Sequence, residues 1–347
     1  MQRRTTVCDG VSDCSRSNVV VQDLDKFPGQ GDRNEGGAMN CIVMGGAGFI
    51  GSHIVDALVA QGCTATVFDD LSSGKRENLG EGIALTVGDV RDKQAVRAAL
   101  SGSVDCVFHL AAQIDVRRAV EDPWLDAQVN VGGTINVLKA CVEAHVRRFV
   151  VSSTGGALYG EPSTLPATEQ SAIRPLSPYG VSKYCAEQYI GYFHRACGLE
   201  TVILRYANVY GPRQDPNGEA GVVSIFARRT LLDQPCIVYG DGEQTRDFVF
   251  VDDVAHANML AMQGPLGTFN IGTGVETSLN QLLAAFEHVV GHPIARQYAP
   301  ARAGEVQRIA LNAEKARHEL GWNPSVSLEA GLARTIEWCK EVIDNGE

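Results

Sequence analysis

The stretch Asn40-Cys41-Ile42-Val43-Met44-Gly45-Gly46-Ala47-Gly48-Phe49-Ile50-Gly51-Ser52-His53 decides the fold. It begins abruptly as a buried strand, and the glycines follow at once. They satisfy G-x-G-x-x-G counted from Gly46 and G-x-x-G-x-x-G counted from Gly45. Between a strand and a helix, such glycines allow a tight turn, close approach of backbone N–H groups to a pyrophosphate, and close helix–strand packing. The helix N-terminus adds its positive dipole end. Alone, such a string often marks no more than a turn. Here the next β-rich run ends in Val67-Phe68-Asp69-Asp70, with Asp69 lying 18 residues beyond Gly51. A carboxylate at that point accepts hydrogen bonds from ribose hydroxyls and repels a 2′-phosphate. Together the two features predict a dinucleotide site that prefers NAD to NADP.

Outward from this stretch, strands and helices alternate. β-rich runs fall at 40–44, 64–68, 83–87, 104–108 and 148–152, with helical patterns at about 49–61, 92–100, 124–145 and 178–197. Five-residue apolar runs separated by longer amphipathic segments imply a parallel sheet with crossover helices. The expected fold is therefore α/β, a doubly wound parallel sheet of Rossmann type over residues 39–210. After Tyr210-Gly211-Pro212-Arg213 the regularity weakens, so residues 211–347 are expected to form mostly a smaller, interleaved C-terminal α/β substrate lobe. A late strand at about 246–251 is expected to return to the main sheet. Residues 1–38 mix Gly, Asp, Arg, Ser and Asn without period and are expected to be a disordered leader.

Composition narrows the function. Of 347 residues, 44% are hydrophobic and 20% charged, as in a chain with a sizeable core. The formal charge of −11 repels a nucleic-acid backbone or an anionic membrane, so neither is expected as a partner. No apolar run approaches the roughly 18 residues of a membrane span, and no secretory signal is visible. The ten cysteines form no C-x-x-C pair, which fits buried free thiols in a reducing cytoplasm better than a zinc or disulfide framework. His288 and His292 lack a third ligand, and no metal is expected.

Two further segments carry chemistry. In Ser177-Pro178-Tyr179-Gly180-Val181-Ser182-Lys183, Ser177 reads as an N-cap and Pro178 as the first helical residue. Tyr179 and Lys183 then share one helix face. An ammonium beside a phenol favours phenolate and makes a usable base. The run Val150-Val151-Ser152-Ser153-Thr154-Gly155-Gly156 places hydroxyls at a strand's carboxyl end, where ligands bind in an open α/β sheet.

With these segments in view, residues 39–344 resemble an extended short-chain dehydrogenase/reductase, and most of all the nucleotide-sugar 4-epimerases. The matching segments include 44–53, 67–78, Gly88–Asp92, Val107–Gln113, Asn130, Tyr179–Lys183, Leu204–Gln214, Gly240–Ala255 and Arg302–Glu305, in the family's order and spacing. The resemblance implies an NAD site of Gly45, Gly48, Phe49, Ile50, Gly51, Asp69, Asp70, Asp89, Val90, Leu110, Ala111, Ala112, Asn130, Ser152, Tyr179, Lys183, Tyr206 and Val209. It implies a UDP-hexose site of Asn208, Tyr239, Arg246, Arg302 and Glu305, the two arginines on the diphosphate. Catalysis would fall to Tyr179, Lys183 and a hydroxyl. The family's Ser or Thr stands four positions before a Tyr-Gly pair, which here is Gly155, so the role passes to Thr154, with Ser153 second. The resemblance also implies a homodimer built on 124–145 and 178–197, with apolar stripes Val137, Leu138, Cys141 and Tyr189, Ile190, Phe193. It further makes Ile309 a gate beside the sugar 2-substituent.

The implied reaction inverts C4 of a UDP-glucose or UDP-galactose through a transient 4-keto sugar. A UDP-uronate 4-epimerase remains an alternative. A 4,6-dehydratase or decarboxylase would carry acids where Gly155 and Gly156 stand. A non-catalytic NAD-binding regulator would be expected to lack Tyr179 or Lys183.

Overall fold

Seven parallel strands form the central sheet of the protein, seen here in a computed structural model that describes residues 38–216, 221–301 and 306–345. In chain order the strands are β1 (Asn40–Met44), β2 (Thr64–Asp69), β3 (Ala84–Val87), β4 (Cys106–His109), β5 (Arg148–Thr154), β6 (Glu200–Tyr206), β7 (Asn208–Tyr210), β8 (Cys236–Tyr239), β9 (Thr245–Arg246), β10 (Phe248–Phe250), β11 (Gly267–Ile271), β12 (Thr277–Ser278) and β13 (Arg296–Ala299). The sheet order is β11-β6-β5-β4-β1-β2-β3. The order reverses between β1 and β4, and such a switch point opens a crevice at the strands' carboxyl ends. Register brings those ends level: Met44 pairs with Phe68 and His109, His109 with Val151, and Thr154 with Tyr206.

The helices are α1 (Phe49–Ala60), α2 (Lys93–Ala99), α3 (Val116–Glu121), α4 (Pro123–Ala127), α5 (Thr134–Glu143), α6 (Gly155–Leu158), α7 (Pro178–Cys197), α8 (Val222–Leu231), α9 (Val251–Gln263), α10 (Leu279–Val290) and α11 (Leu328–Asp344). Strand β1 shows why its run after Asn40 is wholly apolar. Cys41 and Val43 pack into a core with Ile54 and Leu58 of α1 and Met262 of α9, while Ile42 and Met44 face a second core with Leu138 of α5 and Ile190 of α7. A third core joins Phe226 of α8, Leu282 and Phe286 of α10 and Leu332 of α11.

The structure corrects three expectations. The late strand of the main sheet is β11, at Gly267–Ile271; within 246–251, Phe248–Phe250 is β10, which pairs with β7 in a separate two-stranded sheet. Short, apolar β10 resembles a central strand in sequence, but it feeds directly into α9. The helix expected over 124–145 is α4 and α5 joined by a π-helical turn, Gln128–Gly133. A Cβ on Gly133 would lie 2.6 Å from Val90 Cγ2, so this turn packs tightly on the cofactor half. The apolar stripes assigned to a dimer face are mostly core: Val137, Leu138, Cys141 and Ile190 are fully buried and Phe193 nearly so, while Tyr189 is exposed. Exposed Trp124, Leu176 and Val181 instead border a groove of about 1090 Å³ beside α4, the π turn and α7. The expected leader, 1–38, lies outside the described residues except for Ala38. Among the described residues, no helix is long and apolar enough to cross a membrane.

Candidate active site

Gly45 follows β1 directly, with φ of +81°. A Cβ there would sit 2.6 Å from Ala111 N, so the turn touches the β4 loop across the switch point. Leu110 N and Ala111 N both donate to Met44 O at 2.8 Å, which fixes that loop, and Ala112 continues it half-buried. A Cβ on Gly51 would fall 2.2 Å from Gly45 O, whereas at Gly48 the nearest neighbour is Gly45 O at 3.3 Å. The glycines therefore divide their tasks. Gly45 and Gly51 let backbone meet backbone, and Gly48 is the least crowded point of the turn, a cradle at the start of α1 before Phe49 and Ile50.

Asp69 ends β2 beside this cradle, accepting from Ala47 N and Leu71 N at 2.9 Å each. Burial pushes its carboxyl above the usual range, and those two N–H groups oppose the shift. Asp70 is exposed and accepts from Ser72. Asp89 is paired to Arg91, which holds it below the usual carboxylate range, and Val90 behind it is buried. This donor set, with backbone N–H groups at a helix start and a carboxylate one strand over, fits a dinucleotide.

The helix carrying Tyr179 and Lys183 forms as the sequence predicts. Ser177 Oγ accepts from Gly180 N and Pro178 opens α7. Lys183 Nζ donates to Ser152 O at 3.0 Å, and burial pulls its pKa down to about 8. Tyr179 departs from the simple expectation. Burial, and then the Asp126 carboxylate, push its phenol up rather than down. Lys183, with its ammonium directed at a carbonyl, does not by itself turn Tyr179 into a ready base.

Thr154 ends β5 half-buried and caps α6, its Oγ1 accepting from Ala157 N at 3.2 Å. Its hydroxyl proton is not used in that bond. Ser153 is buried and donates to Glu187 Oε1 at 2.6 Å. Tyr206 is also buried, its hydroxyl joined to Ser152 Oγ at 2.9 Å and Asn258 Nδ2 at 2.8 Å. Asn130, buried in the π turn, donates to Gln113 O, Asp126 Oδ1 and Ser182 Oγ and accepts from Gln113 N. The side chains of Tyr206, Asn130 and Ser153 are thus engaged within the protein.

Asn208 is exposed and Val209 half-buried on β7, and a Cβ on Gly156 would approach both Asn208 Oδ1 and Thr154 Oγ1 at about 4 Å. Arg246 lies on β9, whose neighbour Thr245 bonds to Gln307 O, so the 306–309 segment runs alongside it. Tyr239 is half-buried at the end of β8. Arg302 and Glu305 lie outside the described residues. Ile309 is 2% exposed and packs with Tyr159, Ala167 and Leu311, so in this conformation it is a core residue rather than the rim of an open pocket.

This geometry agrees with comparison against known proteins. The model of the NAD dependent epimerase/dehydratase family matches residues 41–272. The chain belongs to that family. A UDP-glucose 4-epimerase of Mycolicibacterium smegmatis is 43% identical over 308 residues, covering 86% of this chain and 98% of the relative. Among solved structures, the UDP-glucose 4-epimerase of Thermotoga maritima with UDP-glucose has a TM-score of 0.86 at 45% identity, covering 88% of this chain and 100% of that one. The Thermus thermophilus UDP-glucose 4-epimerase complex with NAD gives 0.83 at 43%, covering 87% and 99%.

Within this epimerase scaffold, sequence reading missed the second layer: Asp126, Glu187, Arg205 and His109. Glu187 stands at i+4 from Lys183 and i+8 from Tyr179, a spacing visible in the sequence. The others lie on separate elements that no local pattern connects.

Proposed function

We propose that this protein is an NAD-dependent UDP-sugar 4-epimerase, an isomerase interconverting UDP-glucose and UDP-galactose. What supports the reading is Tyr179 and Lys183 on one face of α7, with Lys183 bonded to Ser152 O two residues before Thr154 and lining a small cavity with Ala111, against which the glycine turn packs. Gly45, Gly48, Gly51 and Asp69 would hold the dinucleotide, with Lys183 at its nicotinamide ribose. NAD, when bound, would supply the hydride acceptor and donor and a positive charge favouring the Tyr179 phenolate.

The chain's own residues handle the proton. Tyr179 Oη takes the proton of the sugar 4′-hydroxyl and returns it after the 4-keto sugar has turned its other face. Thr154, whose hydroxyl proton is not used in capping α6, donates to the reacting oxygen. Arg246, with Arg302, holds the diphosphate, and Asn208 and Tyr239 border the sugar nucleotide. Gly155 and Gly156 supply no acid or base, which disfavours elimination of water.

A homodimer formed through the Trp124–Leu176–Val181 groove fits the exposure of those side chains, since an apolar patch of this kind marks an interface. A cytoplasmic setting fits the cysteines, all eight of the described ones being free.

The test is conversion of UDP-galactose to UDP-glucose without added cofactor, by protein whose NAD is identified after denaturation. Tyr179→Phe should keep the NAD and lose about 10²-fold or more in turnover. An NAD-loaded protein that converts neither sugar nucleotide would overturn the reading.

A further inference from the structure

Glu187 lies in one row of α7 with Tyr179 and Lys183, and its side chain is 4% exposed. Three elements meet on it. Oε1 accepts from Ser153 Oγ of β5 at 2.6 Å and from Arg205 Nε of β6 at 3.0 Å, while Oε2 accepts from Arg205 Nη2 at 2.6 Å. Arg205, 8% exposed, also turns Nη1 to Tyr159 Oη at 2.9 Å, and that hydroxyl donates to Asn270 Oδ1 of β11 at 2.8 Å. The ring of Tyr159 lies beneath the Arg205 guanidinium and packs in the cluster with Leu311, which abuts Gly155. A buried ion pair is weak evidence for stability, because both ions lose their hydration. This one, however, connects the helix bearing the base to both sides of the Thr154 turn.

We propose that Glu187 is a positioning residue for the epimerisation: held by Arg205 and Ser153 and lining one small cavity with Lys183, its carboxylate sets the field at the ammonium and ties the Thr154 turn to α7. The charged and titratable groups acting on Lys183 come from three elements. Glu187 on its own helix and Asp126 from α4 both favour the ammonium, Glu187 the more strongly, against the burial that opposes it. His109 from β4 is pushed down to about 3 by burial and by Lys183 itself, so it stays neutral. Arg205 neutralises part of the Glu187 field. The opposing signs of Glu187 and Arg205 therefore set how far up the pH scale Lys183 keeps its proton.

The experiment is the pH profile of kcat for UDP-galactose with the NAD-loaded full chain, its Glu187→Gln and Arg205→Met variants, and Tyr179→Phe alongside. Glu187→Gln leaves Arg205 as a lone buried cation and should move the alkaline limb down by about one pH unit or more. Arg205→Met leaves the carboxylate uncompensated and should move the limb up. A limb that stays put while kcat or Tm falls, or one that moves the same way in both variants, overturns the proposal. Each variant decides alone, so misfolding of one leaves the other. Glu187→Asp, which keeps the charge, should keep the parent limb, and a limb displaced there would also overturn it. The inference rests on the assignment of Tyr179 and Lys183. An active Tyr179→Phe overturns that assignment and this one with it, whereas an inactive Tyr179→Phe with unmoved limbs overturns the role of Glu187 alone.

Discussion

Substituting alanine at Gly51 and at Gly48, three residues apart in one turn, should give opposite phenotypes. At Gly51 the new methyl would lie 2.2 Å from Gly45 O and 2.8 Å from Gly46 Cα. That is roughly 1 Å inside ordinary contact, and both neighbours are backbone with no rotamer to yield. The cost belongs at the upper end of overpacking, about 3 kcal/mol. At about 2 °C per kcal/mol for a chain of this size, the cofactor-free protein should melt about 6 °C lower. At Gly48 the backbone has φ of −76°, which alanine adopts freely, and the nearest neighbour is 3.3 Å away. Reduced freedom of the unfolded chain adds up to about 1 kcal/mol, so Tm should stay within about 2 °C of the parent. The Gly48 methyl instead fills the space a pyrophosphate would enter, and NAD affinity should drop about 10- to 100-fold, or about 1.4–2.8 kcal/mol. Melting curves of stripped protein and titration with NAD read both effects. Equal melting of the two variants, or parental NAD affinity in Gly48→Ala, would refute the division of labour between these glycines.

Three other outcomes are expected. Thr154→Ala should cost kcat about 10²-fold while Ser153→Ala costs no more than about 10-fold, because the Ser153 proton is already given to Glu187; steady-state kinetics with the reverse ranking would return the role to Ser153. In cofactor-free protein Lys183, with its pKa drawn down to about 8, is charged below that pH and neutral above it. Its acylation, read by peptide mass spectrometry, should therefore rise as pH climbs through about 8, well before ordinary lysines respond, and bound NAD should suppress it. Trp124→Glu with Val181→Asp should give a monomer in light scattering at micromolar concentration with the fold intact, since both side chains are more than half exposed in the protomer; an unchanged mass would move the interface elsewhere.

The glycine turn, the acid ending β2, the first five strands, and the capped start of α7 were all legible from the sequence. Each is local: a glycine spacing, an apolar period or a cap is dictated by neighbours within a few residues of the chain. The β10 misreading shows where locality fails. Phe248-Val249-Phe250 is as apolar as a central strand, but which strand it joins depends on β7 and on the short path into α9, neither written in its own pattern. The apolar stripes of α5 and α7 fail for a similar reason, because periodicity tells that a face is buried but not against what. Val137 and Ile190 meet the sheet of their own chain, and of the two stripes only Tyr189 is left exposed. Tertiary structure alone decided the state of the site's ionisable groups. The sequence places an ammonium one turn from a phenol, and that attraction alone would lower the phenol's pKa. Folding takes both partly out of water, near Asp126 and Glu187, and this desolvation raises the phenol and lowers the amine. Sequence thus fixes which groups share a helix face, while the dielectric around them and the charges arriving from distant strands exist only once the chain has packed.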